Sequence, residues 1–153
     1  VKVSLLGNTT AFHIIDGNFE AALRINNLMI KESSVNFRSD IHFIAKILQL
    51  LIHYEMKNYS LLEYLTLSVH KFLKSHNALF KTEALLIDFF KEAIKHPEDE
   101  HRKLFDELAF RLEKTRKDFR YHNLISIFDF KAWAISKAKS VKLTEILTRP
   151  DYN

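Results

Sequence analysis

The chain has 153 residues, a formal net charge of +4 and 47% hydrophobic residues, which is enough apolar material to form a core without disulfide or metal cross-links. It contains no cysteine, which excludes disulfides, thiol nucleophiles and cysteine-ligated zinc. Its two glycines and two prolines are too few for the turns of a many-stranded β fold, and the sequence contains no glycine-rich nucleotide-binding motif.

Apolar residues recur at three- and four-residue spacing along most of the chain, which predicts about eight helices joined by short polar links. In chain order the first five predicted helices cover about residues 5–15, 19–31, 39–56, 59–74 and 79–95. The sixth begins at residue 97, and Leu112 is the last of its predicted packing residues. The seventh and eighth cover about residues 119–137 and 141–148. Gly17 and Asn18 predict a turn and an N-cap before the second helix, and Asn58 predicts an N-cap for the fourth. Pro97 suits the first position of the sixth helix, where Glu98, Asp99 and Glu100 complement the helix dipole.

The third predicted helix confines its polar side chains to one thin row. His42, Lys46, Gln49 and His53 follow each other at spacings of four, three and four, which places them on one line of a helix. The remaining residues from Ile41 to Tyr54 are apolar, so most of the circumference of this helix is expected to be covered. Helices with wide apolar faces alternate with half-polar ones, a pattern typical of a two-layer helical repeat.

The turns that follow the first and third helices are similar at an offset of 40 residues. Asp16-Gly17-Asn18-Phe19 precedes the second helix, and Lys57-Asn58-Tyr59 precedes the fourth. Gly17, Phe19 and Ala22 resemble the turn glycine, the aromatic residue between paired helices and the small close-packing residue of the tetratricopeptide repeat. The second unit departs from that pattern, with Lys57 in place of the glycine and Leu62 in place of the small residue.

The stretch from Ile41 to Trp133, with LLIHYEMKNYSLLEYL and FDFKAW, also resembles the C-terminal region of long bacterial tetratricopeptide-like proteins. The resemblance implies an all-α, right-handed α-α superhelix of about three helix pairs plus a C-terminal capping helix. It implies a single helical domain over residues 1–153, interpreted as the C-terminal part of a longer chain. It also implies a scaffold role, with no catalytic activity and no cofactor.

The polar row is the candidate partner-binding site, because such an apolar helix keeps polar residues only where it meets water or a polar ligand. The inner helices of tetratricopeptide stacks line a concave groove for peptides. The row His42, Lys46, Gln49 and His53 is therefore expected to be accessible and replaceable without unfolding. Strict tetratricopeptide register instead places Ile47, Leu51 and Tyr54 in the groove, and a solvated seam without a ligand is the third interpretation.

Other chemistry has weaker sequence support. Among the eight histidines, the pairs His70 with His76 and His96 with His101 lack the spacing that places two imidazoles on one helix face, which disfavours a metal site. No strand-turn-helix nucleophile elbow of the G-x-S-x-G type is present. Nucleic acid is a disfavoured partner, because the densest basic segment lies near a helix C-terminus, where cations complement the helix dipole: Arg111, Lys114, Arg116, Lys117 and Arg120.

The expected function is thus a protein or peptide interaction scaffold in the cytoplasm. The alternative is the ligand-sensing helical domain of a bacterial transcriptional regulator. The longest apolar run, Ile47–Ile52 interrupted by Gln49, is too short to cross a membrane. Trp133 and Phe128 are expected to anchor the closing helices. Self-association is expected through the apolar residues of the first helix: Val3, Leu5, Phe12 and Ile15.

Overall fold

The structure is a computed structural model that describes residues 2–35, 39–118 and 124–152. Within those residues it contains helices and turns and no β-strand, which confirms the all-α prediction. The helices are α1 Lys2–Ile15, α2 Phe19–Val35, α3 Ser39–Glu55, α4 Tyr59–Ser75, α5 Lys81–Lys95, α6 His101–Lys114, α7 Phe130–Lys139 and α8 Leu143–Leu147, with a 3₁₀ turn at Glu98–Glu100. Consecutive helices pack together within two compact units, Val1–Leu79 and Phe80–Asn153. The prediction of a single domain over 1–153 stays a prediction.

In the first unit, α3 is the central helix. It packs against α1, α2 and α4, and most of its circumference is buried, as its apolar sequence predicts. Asn26 Nδ2 of α2 donates a hydrogen bond to the Ala45 carbonyl at 2.9 Å, while Ser33, seven residues later in α2, meets His42. Because the contacting numbers run in opposite directions, α2 and α3 are antiparallel. The outer helix α4 is half exposed, so a covered helix and a half-exposed helix follow each other.

The turns of the proposed repeat have the same backbone geometry. Gly17 has φ +75° and Lys57 has φ +57°, and both are left-handed residues just after a helix. The amide of Asn18 donates to the His13 carbonyl at 2.9 Å, and the amide of Asn58 donates to the His53 carbonyl at 3.0 Å. This bond from the third residue past the helix closes a Schellman C-cap. Glycine adopts positive φ without steric cost, whereas Lys57 adopts it against the preference of an L side chain.

The second unit is held by aromatic packing around Trp133 of α7, which is 1% exposed. Its ring centre lies 5.0 Å from Phe105 of α6, 5.9 Å from Phe89 and 6.1 Å from Phe90 of α5. The edge-to-face angles of the Phe89 and Phe105 contacts suit the quadrupoles of the rings. Phe128 is also buried and packs on Phe130.

Three details of the predicted elements are wrong. The seventh helix is not continuous over 119–137, because residues 126–129 form a turn and a new helix begins at Phe130; residues 119–123 lie outside the described ranges. Asp129 starts α7, since its Oδ1 accepts a hydrogen bond from the Ala132 amide at 2.8 Å. Asn58 stands at the N-cap of α4 but makes no side-chain cap. Pro97 precedes a 3₁₀ turn, and α6 itself begins at His101.

Candidate functional site

The polar row of α3 lies on the least buried face of that helix. His42, Lys46 and Gln49 are partly exposed, whereas almost every other residue from Ile41 to Tyr54 is buried. Ile47, Leu51 and Tyr54, the groove positions of the alternative register, are all buried. The accessible surface of this helix is therefore the polar row and not the alternative set.

His53 is the exception within the row. It is only 6% exposed, and its Nδ1 accepts a hydrogen bond from Asn58 Nδ2 at 3.2 Å. Burial lowers the pKa of His53, because the charged imidazolium loses hydration. The expectation that the whole row is accessible is wrong for this residue, because His53 is buried beside the turn into α4. That the row can be replaced without unfolding stays a prediction.

His42 connects α3 to both neighbouring helices. Its Nδ1 donates to the Ile30 carbonyl of α2 at 3.1 Å and lies 3.0 Å from Ser33 Oγ. Its ring lies 5.4 Å from the Phe72 ring of α4. Burial lowers the pKa of His42, and the positive charge of Lys46 lowers it further. These contacts place His42 between α2 and α4.

Lys46 and Gln49 leave hydrogen-bonding capacity unused. The Lys46 ammonium lies 5.8 Å from the Phe72 ring centre, and no acidic side chain within the described ranges pairs with it. Gln49 Oε1 is buried and finds no hydrogen-bond donor among the described residues. Lys46, which is partly exposed and has no acidic partner among the described residues, is therefore the member of the row best placed to bind another molecule, whereas Gln49 Oε1 is shielded from solvent.

The structure adds three aromatic residues that the sequence pattern did not single out for this site. Phe72 packs against Phe43 at 5.8 Å and against His76 at 4.3 Å between ring centres. His76 also lies 5.9 Å from Phe43. The three- and four-residue spacing of apolar residues assigns Phe72 to the apolar face of α4. Its position at the edge of that face was the only sequence signal that it could belong to this site.

The remaining sequence candidates have local structural roles. Arg111 lies 3.9 Å from Glu107, Arg116 lies 3.6 Å from Glu113, and Lys114 lies over the Phe110 ring. This basic segment is thus interspersed with acidic partners, and its last member, Arg120, lies outside the described residues.

The two described histidines of the second unit, His96 and His101, also make local contacts. His96 lies 2.9 Å from Glu100, and His101 Nε2 donates to the Ala93 carbonyl at 2.7 Å. Among the residues with a described position, no group of three or more histidine, aspartate or glutamate side chains has metal-binding geometry.

Two further surfaces bear on binding. In α1, Leu5 and Phe12 are each 63% exposed, Ile15 is half buried, and the Val3 side chain lies outside the description. In the second unit, a depression of about 220 Å³ beside α7 and α8 is lined by three cations, Lys131, Lys139 and Arg149, together with Asp151, Tyr152 and two isoleucines. Lys131 forms an ion pair with Glu113.

None of the described helices has the length and apolarity needed to cross a membrane. No protein-family model matches the chain, and neither the curated proteins nor the solved structures include a significant match to it.

Proposed function

We propose that the chain is a tetratricopeptide-like α-α superhelical repeat that acts as a protein or peptide interaction scaffold, and that a partner segment binds in the groove between α2 and α4. The floor of this groove is the accessible part of the polar row, His42, Lys46 and Gln49. The observation that carries the proposal is a partly exposed polar row, with Lys46 lacking an acidic partner among the described residues, on a helix that is mostly covered.

The shared turn geometry supports the repeat assignment. Gly17 and Lys57, 40 residues apart, have the same left-handed conformation and the same C-cap hydrogen bond. Ala22 and Leu62, at equivalent positions after these turns, are both fully buried. Each turn joins an antiparallel helix pair, which is the structural unit of such repeats.

The chemistry of the groove supports peptide binding. Lys46 offers an ammonium donor, Gln49 is a partly exposed polar side chain on the same face, and the Phe72 ring lies 5.8 Å from the Lys46 ammonium as an apolar contact. An extended peptide presents backbone donors and acceptors together with side chains, and it can therefore satisfy polar and apolar groups of one groove at the same time.

Selection of displayed random peptides on the folded chain tests this function. Peptides should be selected on the wild-type chain and measured against Lys46→Glu/Gln49→Ala. A control, Ser60→Ala/Lys74→Glu, makes the same charge change on the exposed face of α4. We expect dissociation constants of about 10⁻⁶ to 10⁻⁵ M, weakened about tenfold or more by the groove variant and less than about threefold by the control. Equal binding to both variants would refute the groove as the site.

A further inference from the structure

Three nitrogen-containing side chains lie around one aromatic ring near the N-terminal half of α3. The Phe72 ring centre lies 5.4 Å from the His42 ring, 4.3 Å from the His76 ring and 5.8 Å from the Lys46 ammonium. Phe43 of α3 contacts both the Phe72 ring and the His76 ring. His42, Lys46, His76, Phe72 and Phe43 are called the Phe72 cluster below.

The hydrogen bonds of the two histidines indicate which ring nitrogen carries the hydrogen in the neutral ring. His42 Nδ1 lies 3.1 Å from the Ile30 carbonyl, and His76 Nδ1 lies 2.8 Å from the Phe72 carbonyl. A carbonyl oxygen only accepts, so both Nδ1 atoms carry the hydrogen. The Nε2 atoms make no hydrogen bond to the described residues. Each Nε2 is therefore an acceptor in the neutral ring and becomes an N–H donor when the ring is protonated.

The charged groups at this cluster are cationic. From α2, His42 meets the uncharged Ile30 carbonyl and Ser33 hydroxyl. From α3 and α4 it is exposed to the charges of Lys46 and His76, which add to burial in lowering the pKa of His42.

Two acidic residues lie close to the contacts of His42 in the sequences of α2 and α3. Glu32 of α2 pairs with Lys2 at 3.1 Å, and Asp40 lies in the first turn of α3. The side chains whose charges lower the pKa of His42 are Lys46 and His76. No acidic side chain among the described residues pairs with Lys46, so an anionic group would complement the Phe72 cluster.

We propose that the Phe72 cluster binds a carboxylate side chain of an acidic partner peptide and that this binding strengthens on acidification. Lys46 supplies a permanent positive charge, and protonated His42 and His76 each add an Nε2–H donor toward the carboxylate. Phe72 and Phe43 contact the methylene groups of the acidic side chain. This inference rests on the proposed function, because it names the chemistry of the peptide that the groove receives.

Titration with two defined probes tests the inference. An acetylated, amidated hexaglutamate peptide and its hexaglutamine counterpart are added to the full chain, while the imidazole nitrogen resonances are followed by NMR. We expect the hexaglutamate peptide to shift the Nε2 resonances of His42 and His76 and to bind about tenfold more tightly at about pH 5.5 than at about pH 7.5. The hexaglutamine peptide should change its affinity less than about twofold over the same range.

Two charge-matched variants separate this site from general attraction to a chain of charge +4. Lys46→Gln should weaken hexaglutamate binding about tenfold, whereas Lys74→Gln, two residues from Phe72 and therefore on the opposite side of α4, should weaken it less than about threefold. Equal effects of the two variants, or unmoved His42 and His76 resonances, would overturn the inference. Inorganic phosphate that produces the same shifts as tightly as hexaglutamate would overturn it in favour of a phosphate site.

The carboxylate proposal and the proposed function can be refuted independently. If selected peptides still require Lys46 and Gln49 but show neither acidic composition nor pH dependence, the groove remains the binding site and the carboxylate proposal is wrong. If selected peptides bind Lys46→Glu/Gln49→Ala as well as wild type, the proposed groove function is wrong.

Discussion

Replacing Trp133 by alanine should destabilise the second unit more than any exposed substitution. A buried aromatic side chain removes about 200 Å² from water, which is worth about 5 kcal/mol at about 25 cal/mol per Å². Alanine keeps part of that contact, whereas the cavity left among Phe89, Phe90 and Phe105 adds to the cost. We expect Trp133→Ala to lower the free energy of unfolding by about 3 to 5 kcal/mol.

Urea unfolding followed by far-ultraviolet circular dichroism measures this loss. Fluorescence is unsuitable, because Trp133 is the sole tryptophan and the substitution removes it. Phe110→Ala is the matched control, since Phe110 is 62% exposed on α6, and it should change stability by less than about 0.5 kcal/mol. A loss below about 1 kcal/mol for Trp133→Ala would show that the aromatic cluster does not hold α7 in place.

Three further predictions concern the first unit. Lys57→Gly should stabilise the chain by about 0.5 to 1 kcal/mol in thermal unfolding, because glycine removes the cost of positive φ; an unchanged or lower stability would contradict the turn assignment. The folded-state pKa values of His42 and His53 are both lowered, so their contribution to stability is present above about pH 6.5 and is lost as the pH falls through those lowered values. His42→Gln and His53→Gln should reduce the loss of unfolding free energy at low pH, measured by urea unfolding at several pH values. An unaltered pH profile would contradict this prediction. Leu5→Ser/Phe12→Ser should reduce self-association in sedimentation, whereas a wild-type chain that is monomeric at high concentration would exclude this interface.

The sequence predicted the helices with strong periodic patterns better than the connections between them. The bounds of α3 and α4 agree with their apolar spacing to within a residue or two, because tertiary burial and helical period indicate the same residues. The break before α7 was missed because aromatic residues on both sides of Asp129 continue an apolar pattern. An aspartate three residues before Ala132 was the available N-cap signal.

The candidate site was predicted in part for a similar reason. Helical period places His42, Lys46, Gln49 and His53 on one line, and the structure confirms that three of them lie on the least buried face of α3. Period does not show which neighbouring segment covers the end of a row, so the burial of His53 beneath the turn at Asn58 was not predicted. The contribution of Phe72 and His76 depends on contact between α3 and α4, which a single sequence does not reveal.

Mapping a selected peptide onto the chain by backbone amide chemical shifts is the most direct test of the central claim that the α2–α4 groove binds a partner. The prediction is that the largest shifts fall on His42, Lys46 and Gln49 and on the α2 and α4 residues beside them, and that Lys46→Glu/Gln49→Ala abolishes these shifts while the chain stays folded. Largest shifts around Leu5 and Phe12 of α1, or between α7 and α8, would contradict the claim.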